Sequence, residues 1–131
     1  MNYKFFDLKI NSDNRGNLVA IEGMKNIPFE IKRLFYIYGN RGALPRAGHA
    51  NRQNEEVLIC LNGSCRIFLD DGIRQEHFVI NRPNQAFYIG KNIWVKIDEF
   101  SEACILLVLA SRAYDPEDKV CDYQKFKEII R

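Results

Sequence analysis

The sequence has no strong excess of charge and no long hydrophobic run. Nineteen Lys and Arg stand against seventeen Asp and Glu, a net charge of +2, so the strongly basic balance of a nucleic-acid-binding domain is absent. The longest apolar run, 103–110, is far too short to span a bilayer. The N-terminus also lacks the basic start and apolar stretch of a signal peptide. We therefore expect neither a nucleic-acid nor a membrane partner.

The sequence is also poor in the residues that build disulfide and zinc frameworks. Its four cysteines, Cys60, Cys65, Cys104 and Cys121, form no CxxC pair, and three of them lie in or beside apolar stretches. This pattern favours reduced, packed thiols in a cytoplasmic protein, with a disulfide framework as the alternative. There are only two histidines, which limits both proton-transfer and metal sites.

The 131 residues suffice for one domain. Short β-rich runs closed by turn residues recur at intervals of roughly ten residues, a rhythm typical of a sandwich or barrel. Asn62-Gly63 follows the run 57–61 and predicts a type I′ hairpin with the run 64–69. Further strands are expected at 18–22, 31–38, 75–80, 85–89, 93–97 and 103–110, giving eight or nine in all.

The C-terminal segment has a helical pattern instead. Asp115 and Pro116 supply an N-cap and a first-turn proline. Val120, Tyr123 and Ile130 follow at helical spacing, which predicts a helix over about 116–130. The fold class expected is all-β, a cupin or jelly-roll barrel in a single domain over residues 1–131, with a short C-terminal α-helix.

Residues 42–63 resemble the first cupin motif, G-x5-H-x-H-x(3,4)-E-x6-G. His49 is then the first histidine, Glu56 the acid and Gly63 the closing glycine. One extra residue follows Gly42, and Asn51 stands in the place of the second histidine. One imidazole, one carboxylate and a weakly ligating amide are too few strong donors for zinc or iron. We therefore expect no metal, and a metal-dependent cupin oxygenase is the alternative.

A broader resemblance covers nearly the whole chain. The sequence resembles the dTDP-sugar 3,4-ketoisomerases, small metal-independent cupins of deoxysugar biosynthesis. The matching stretches are 13–22, 27–33, 45–46, 49–50, 57–63, 88–90, 94, 107–111 and 114–115.

The resemblance implies an enzyme that converts dTDP-4-keto-6-deoxy-D-glucose to a 3-keto-6-deoxy sugar, as in lipopolysaccharide O-antigen synthesis. It implies no cofactor, and a homodimer that exchanges or pairs its N-terminal strands. A base removes the C3 proton, an enediolate forms, and a proton is returned to C4. The family motif R-G-x-H-A-H has two histidines as proton carriers, of which this chain keeps His49.

Asn51 has no proton to exchange, and three interpretations follow. Glu56 replaces the missing histidine, because a carboxyl partly buried in a barrel can titrate nearer neutrality. Alternatively, Asn51 marks an engineered, inactive variant, or the protein binds a nucleotide sugar without isomerising it. A related nucleotide-sugar epimerase is a further alternative. Val95, where the family usually has histidine or arginine after Trp94, leaves the C4 configuration of the product open.

Binding of a dTDP-sugar needs cationic groups for the diphosphate and an aromatic slot for the base. Arg33 and Arg46 are the candidates for the diphosphate, because a guanidinium grips phosphate oxygens bidentately; surface ion pairs are the alternative. Tyr36 and Tyr88 are candidates for lining the sugar or base pocket and Trp94 for stacking; ordinary core packing is the alternative. Adjacent strand residues face opposite ways, so one of Glu55 and Glu56 is expected to point inward.

Overall fold

A computed structural model describes residues 1–41 and 44–130. Gly42, the first glycine of the cupin-like motif, and the last residue of the expected domain lie outside the described residues. The strands are β1 Tyr3–Asp7, β2 Asn11–Asp13, β3 Gly16–Leu18, β4 Arg33–Ile37, β5 Arg46–Asn51, β6 Glu56–Asn62, β7 Cys65–Asp70, β8 Gln75–Ile80, β9 Gln85–Ile89, β10 Trp94–Asp98, β11 Ile105–Ala110 and β12 Lys119–Val120, followed by helix α1 Tyr123–Ile129.

The strands form two antiparallel five-stranded sheets and one small hairpin. The first sheet has the order β1-β9-β6-β11-β4, the second β12-β5-β10-β7-β8, and β2 pairs with β3. Alternate residues of both sheets face inward and form a core in which Leu58, Ile67, Phe87 and Leu106 are at most 1% exposed. The expected all-β jelly-roll with a short C-terminal helix is confirmed.

The turn at Asn62-Gly63 differs from the expected hairpin. β6 pairs with β9 and β11, whereas β7 pairs with β8 and β10, so the turn joins the two sheets. Of the two turn residues Asn62 and Gly63, Gly63 alone has a positive φ, of 70°, whereas a type I′ turn needs two such residues. A Cβ on Gly63 would lie 2.3 Å from Ser101 Oγ, so both backbone and packing require glycine. The turn therefore packs against the loop that contains Ser101 and forms a corner between the two sheets, not a hairpin within one sheet.

The C-terminal helix is shorter than the expected 116–130. Pro116–Asp118 forms a single 3-10 turn capped by Asp115, and α1 begins only after a second cap at Asp122. Between them Lys119–Val120 pairs with the end of β5 as an added edge strand. Pairing with the sheet satisfies backbone groups that a continuous helix would have bonded internally.

The predicted strands of the second half of the chain are confirmed closely. The runs 75–80 and 85–89 have the expected bounds, and the runs at 93–97 and 103–110 shift by one or two residues. The expected strand at 18–22 is wrong: β3 ends at Leu18, and residues 19–22 lie outside any strand. The Asn26 side chain accepts a hydrogen bond from Glu22 N and donates one to Ala20 O. These two bonds hold the segment as a loop.

Two further features bear on the expectations from composition. All four cysteines are free thiols, three of them buried. No helix among residues 1–41 and 44–130 is long and apolar enough to cross a membrane.

Candidate active site

A cavity of about 500 Å³ opens between the two sheets. Its floor is apolar, and its charged side chains and its histidine come from four strands, β4, β5, β6 and β12. The residues that line it are Arg33, Phe35, Tyr36, Ile37, Tyr38, Arg46, Ala47, His49, Asn54, Glu56, Leu58, Val95, Ile97, Val108 and Lys119. The cavity therefore combines three cations, one carboxyl group and one imidazole over a hydrophobic base.

His49 faces this cavity from β5. Ala47 and Gly48 have positive φ angles of 66° and 73°, and the β5–β10 register shifts between Val95 and Lys96. This bulge sets His49 opposite Val95. Burial lowers the pKa of His49 to about 4, helped by the charge of Lys119 and opposed by a hydrogen bond with the Ala47 backbone. The imidazole is therefore neutral near pH 7 and free to accept a proton.

Glu56 faces the cavity from the start of β6, while Glu55 lies on the other face, as strand alternation predicts. Burial raises the pKa of Glu56; the charges of Lys119 and Arg33 and a hydrogen bond with Asn51 act in the opposite direction. A carboxyl group with a raised pKa can carry a proton nearer neutrality than an exposed one.

Asn51 lies two residues beyond His49 on β5 and is only 7% exposed. It lines a small side pocket next to the main cavity, together with Arg33 and Lys119. Its amide acts on Glu56 in the direction that lowers the pKa of that carboxyl group. The residue that stands in the place of the second motif histidine therefore influences the candidate acid.

The loop between β5 and β6 is held by a buried carboxylate from the C-terminal segment. The two Asp118 oxygens accept hydrogen bonds from the backbone N–H groups of Gln53 and Asn54 at 2.8 and 3.0 Å. Asn54 in turn donates from Nδ2 to Glu56 Oε2 at 3.5 Å. The C-terminal segment thus helps to position the carboxyl group of the site.

Three of the predicted binding residues border the cavity. The Arg33 guanidinium lies 4.6 Å from the ring centroid of Phe35 and 4.9 Å from that of Tyr114, so two aromatic faces hold it. Arg46 and Tyr36 lie at the rim and are exposed, Tyr36 by 61%. One cation is therefore fixed inside the cavity and one is free at its mouth.

The structure does not bring Tyr88 and Trp94 to this cavity. Tyr88 donates its hydroxyl to Glu55 in a separate surface pocket, and burial and this hydrogen bond raise its pKa to about 12. Trp94 packs against Tyr123 and Phe126 of α1, with ring centroids 5.3 and 5.8 Å away. Within this chain, Tyr88 lies on the opposite face of the sheet from the cavity, and Trp94 packs against the helix.

Sequence reasoning missed two residues of the site, Lys119 and Tyr114. Lys119 lines the cavity, and its ammonium lies 5.3 Å from the Tyr114 ring centroid. No motif spacing links either residue to His49. The one available signal was the match of the C-terminal stretch, which includes Tyr114, to the ketoisomerases.

A group of three thiols is the one cluster of converging metal-type ligands found among residues 1–41 and 44–130. It comprises Cys60, Cys65 and Cys104. These side chains belong to the buried core and do not line the cavity. The cavity itself offers one imidazole and one carboxyl group as strong donors.

Fold and site together define a class: a small jelly-roll protein of the cupin type whose cavity combines three cations with an imidazole and a carboxyl group. The family model described as "FdtA: WxcM-like, C-terminal" matches residues 1–131, and the chain belongs to this family.

Relatives of known activity share its sequence and its fold. A TDP-4-oxo-6-deoxy-alpha-D-glucose-3,4-oxoisomerase from Aneurinibacillus thermoaerophilus is 45% identical, over 99% of this chain and 94% of the relative. A 3,4-ketoisomerase from Helicobacter canadensis is 44% identical with a TM-score of 0.96, covering 99% of this chain and 98% of that one.

The ketoisomerase QdtA from Thermoanaerobacterium thermosaccharolyticum has been solved with TDP; it is 36% identical, with a TM-score of 0.96 over 98% of this chain and 94% of that one. A QdtA mutant in which a histidine is replaced by asparagine has been solved with TDP-4-keto-6-deoxyglucose, at the same identity, TM-score and coverage.

Proposed function

We propose that the protein is a cofactor-independent 3,4-ketoisomerase that converts dTDP-4-keto-6-deoxy-D-glucose to a dTDP-3-keto-6-deoxy-hexose. The observation that carries the proposal is a neutral imidazole, His49, and a carboxyl group of raised pKa, Glu56, in one cavity of a chain that belongs to this family. The reaction moves protons and needs no oxidant.

In the proposed reaction, His49 accepts the C3 proton. The electron pair of the C3–H bond forms a C3=C4 double bond, and the C4 carbonyl oxygen takes the negative charge. The O3 proton then passes to O4, which moves the negative charge to O3. A proton is delivered to C4, the C3=C4 double bond is lost and O3 becomes the carbonyl. Glu56 serves as the second proton carrier in place of the absent histidine, because a carboxyl group of raised pKa can both take up and give up a proton.

Arg33 and Arg46 bind the diphosphate in this proposal. Both border the cavity, and a guanidinium matches phosphate oxygens in a bidentate geometry. Tyr36 at the rim is proposed to contact the thymine or the sugar. The relative QdtA binds TDP, and its asparagine-bearing mutant binds the keto sugar, which supports binding of the same ligand class here.

The other interpretations of Asn51 are an engineered, inactive variant and a binding protein without catalysis; a nucleotide-sugar epimerase is a further alternative. The named activities of the relatives favour neither the binding protein nor the epimerase. The effect of Asn51 on the pKa of Glu56 supports the interpretation in which Glu56 replaces the missing histidine.

The test is proton NMR of dTDP-4-keto-6-deoxy-glucose incubated with the protein in D₂O, in parallel with Asn51→His and with a no-enzyme control. We expect the unchanged protein to yield a 3-keto product deuterated at C4. Turnover by Asn51→His alone would make the present chain a disabled isomerase. Inactivity of both proteins with dTDP binding intact would overturn the proposal in favour of a binding protein.

We also propose a cytoplasmic homodimer. β1 is an edge strand of the first sheet, and its free side offers backbone groups with which a second copy could pair. The free thiols suit a reducing compartment. Light scattering of the purified protein tests the dimer: a monomer mass across micromolar concentrations would overturn it.

A further inference from the structure

Lys119 is the direct neighbour of Asn51 across two paired strands. In the β12–β5 ladder Lys119 pairs with Asn51 and Val120 with Ala50. This added edge strand interrupts the C-terminal segment just where a helix was expected. It brings an ammonium group beside the one motif position that lacks an ionisable side chain.

The Lys119 side chain reaches the cavity that contains the proton carriers. It lines the main cavity with His49 and Glu56, and the side pocket with Asn51. Its ammonium lies 5.3 Å from the ring centroid of Tyr114. Its charge also acts on both carriers, since it helps to lower the pKa of His49 and opposes the rise in that of Glu56.

Lys119 takes part in none of the ion pairs found in the part of the chain that the structure describes. Its charge acts on the carboxyl group of Glu56 without forming an ion pair with it, and in a partly enclosed cavity fewer solvent dipoles screen that charge. The ammonium can therefore also attract an anion that forms during a reaction.

The proposed isomerisation produces such an anion. When the C3–H bond breaks, the proton goes to His49 and the negative charge develops on O4 of the enediolate. The charge passes to O3 when O4 takes the O3 proton, and it disappears when C4 is protonated and O3 becomes the carbonyl. Neutral Asn51 contributes no positive charge, and Arg33 and Arg46 are assigned to the diphosphate. Lys119 is the remaining cation of the cavity.

We infer that Lys119 is a further catalytic residue, whose ammonium stabilises the enediolate while keeping its own proton. This inference rests on the proposed function. It also explains how a cavity with one histidine can support the reaction, because charge on the oxygen is stabilised from the strand paired with Asn51.

The experiment compares Lys119→Gln, Lys119→Arg and the control Lys91→Gln, which changes an exposed lysine away from the cavity. We expect Lys119→Gln to lower kcat by about 10²- to 10³-fold, as removal of one oxyanion-stabilising group does elsewhere. The kcat of Lys119→Arg, which keeps the charge, should stay within about tenfold of that of the unchanged protein. Lys91→Gln should have the same kcat as the unchanged protein. Affinity for dTDP, which lacks the keto sugar, should change by less than about threefold in all three.

Two results would overturn the inference: unchanged kcat in Lys119→Gln, or a loss of dTDP affinity equal to its loss of kcat. If Lys119→Gln does not fold, as judged by circular dichroism, Lys119→Met takes its place with the same expected loss, because it keeps the aliphatic stem near Tyr114. Failure of the unchanged protein to isomerise the keto sugar would instead defeat the proposed function, so the two failures are distinguishable.

Discussion

Strand β6 runs between two regions of opposite character. At its start Glu56 faces a cavity with an imidazole and three cations. Towards its end Cys60 is fully buried, with its Sγ 3.9 Å from that of Cys104, beneath the turn that joins the sheets. At the first end, burial changes the ionisation of groups that can react. At the second, burial serves packing, and the two regions can be perturbed separately.

The largest effect expected is on the cavity end. His49→Asn removes the proposed acceptor of the C3 proton, so kcat should fall by about 10²- to 10⁴-fold, while dTDP affinity and thermal stability change little. Rates of deuterium incorporation at C4 measure this. The matched control is His77→Asn, which removes the other, exposed histidine. Equal activity of the two variants would refute the role of His49.

A change at the packed end should have the reverse profile. Gly63→Ala forces a side chain into Ser101 Oγ at a residue of positive φ, so we expect a loss of about 1 to 3 kcal/mol of unfolding free energy with kcat per folded molecule unchanged. Gly39→Ala is the control, because its φ of +65° is similar but nothing lies within 4 Å of the added Cβ. Denaturant unfolding should give a larger loss for Gly63→Ala, and equal losses would mean that backbone strain alone acts.

The smallest effect expected is a pH dependence confined to the cavity end. The pKa of His49 is about 4, against 6.5 for an ordinary histidine, so the unfolded chain binds the proton first as pH falls. The contribution of His49 to stability is therefore complete above pH 6.5 and is lost between 6.5 and about 4. The free energy of unfolding, measured across this pH range, should depend less steeply on pH in His49→Asn. Gly63→Ala should keep the pH dependence of the unchanged protein. A His49 ring titration by NMR with its midpoint near 6.5 would contradict this.

The same division explains what the sequence could predict. Strands such as Gln75–Ile80 and Gln85–Ile89 were predicted because hydrophobic alternation and turn residues are local signals. The Asn62-Gly63 turn was misassigned because a reversal within a sheet and a corner between two sheets use the same residues. Ser101, which makes it a corner by bonding Ser64 N at 2.9 Å, is remote in sequence.

The site was predicted in the same uneven way. His49, Glu56, Arg33 and Arg46 were found through motif and family resemblance, and all four border the cavity. Lys119 was missed because a pattern with caps and helical spacing predicts a helix, whereas pairing with β5 turned that segment into a strand. Such a long-range pairing leaves no mark in the local sequence.

The buried carboxylate of Asp118 has a consequence for the timing of synthesis. It closes the loop before Glu56 from near the end of the chain, and Lys119 follows directly. A nascent chain that has already formed most of both sheets therefore still lacks part of its cavity until the C-terminal segment leaves the ribosome. The cavity thus reaches its full lining only after residues 118 and 119 have joined the sheets, so its assembly is a late event in folding during translation.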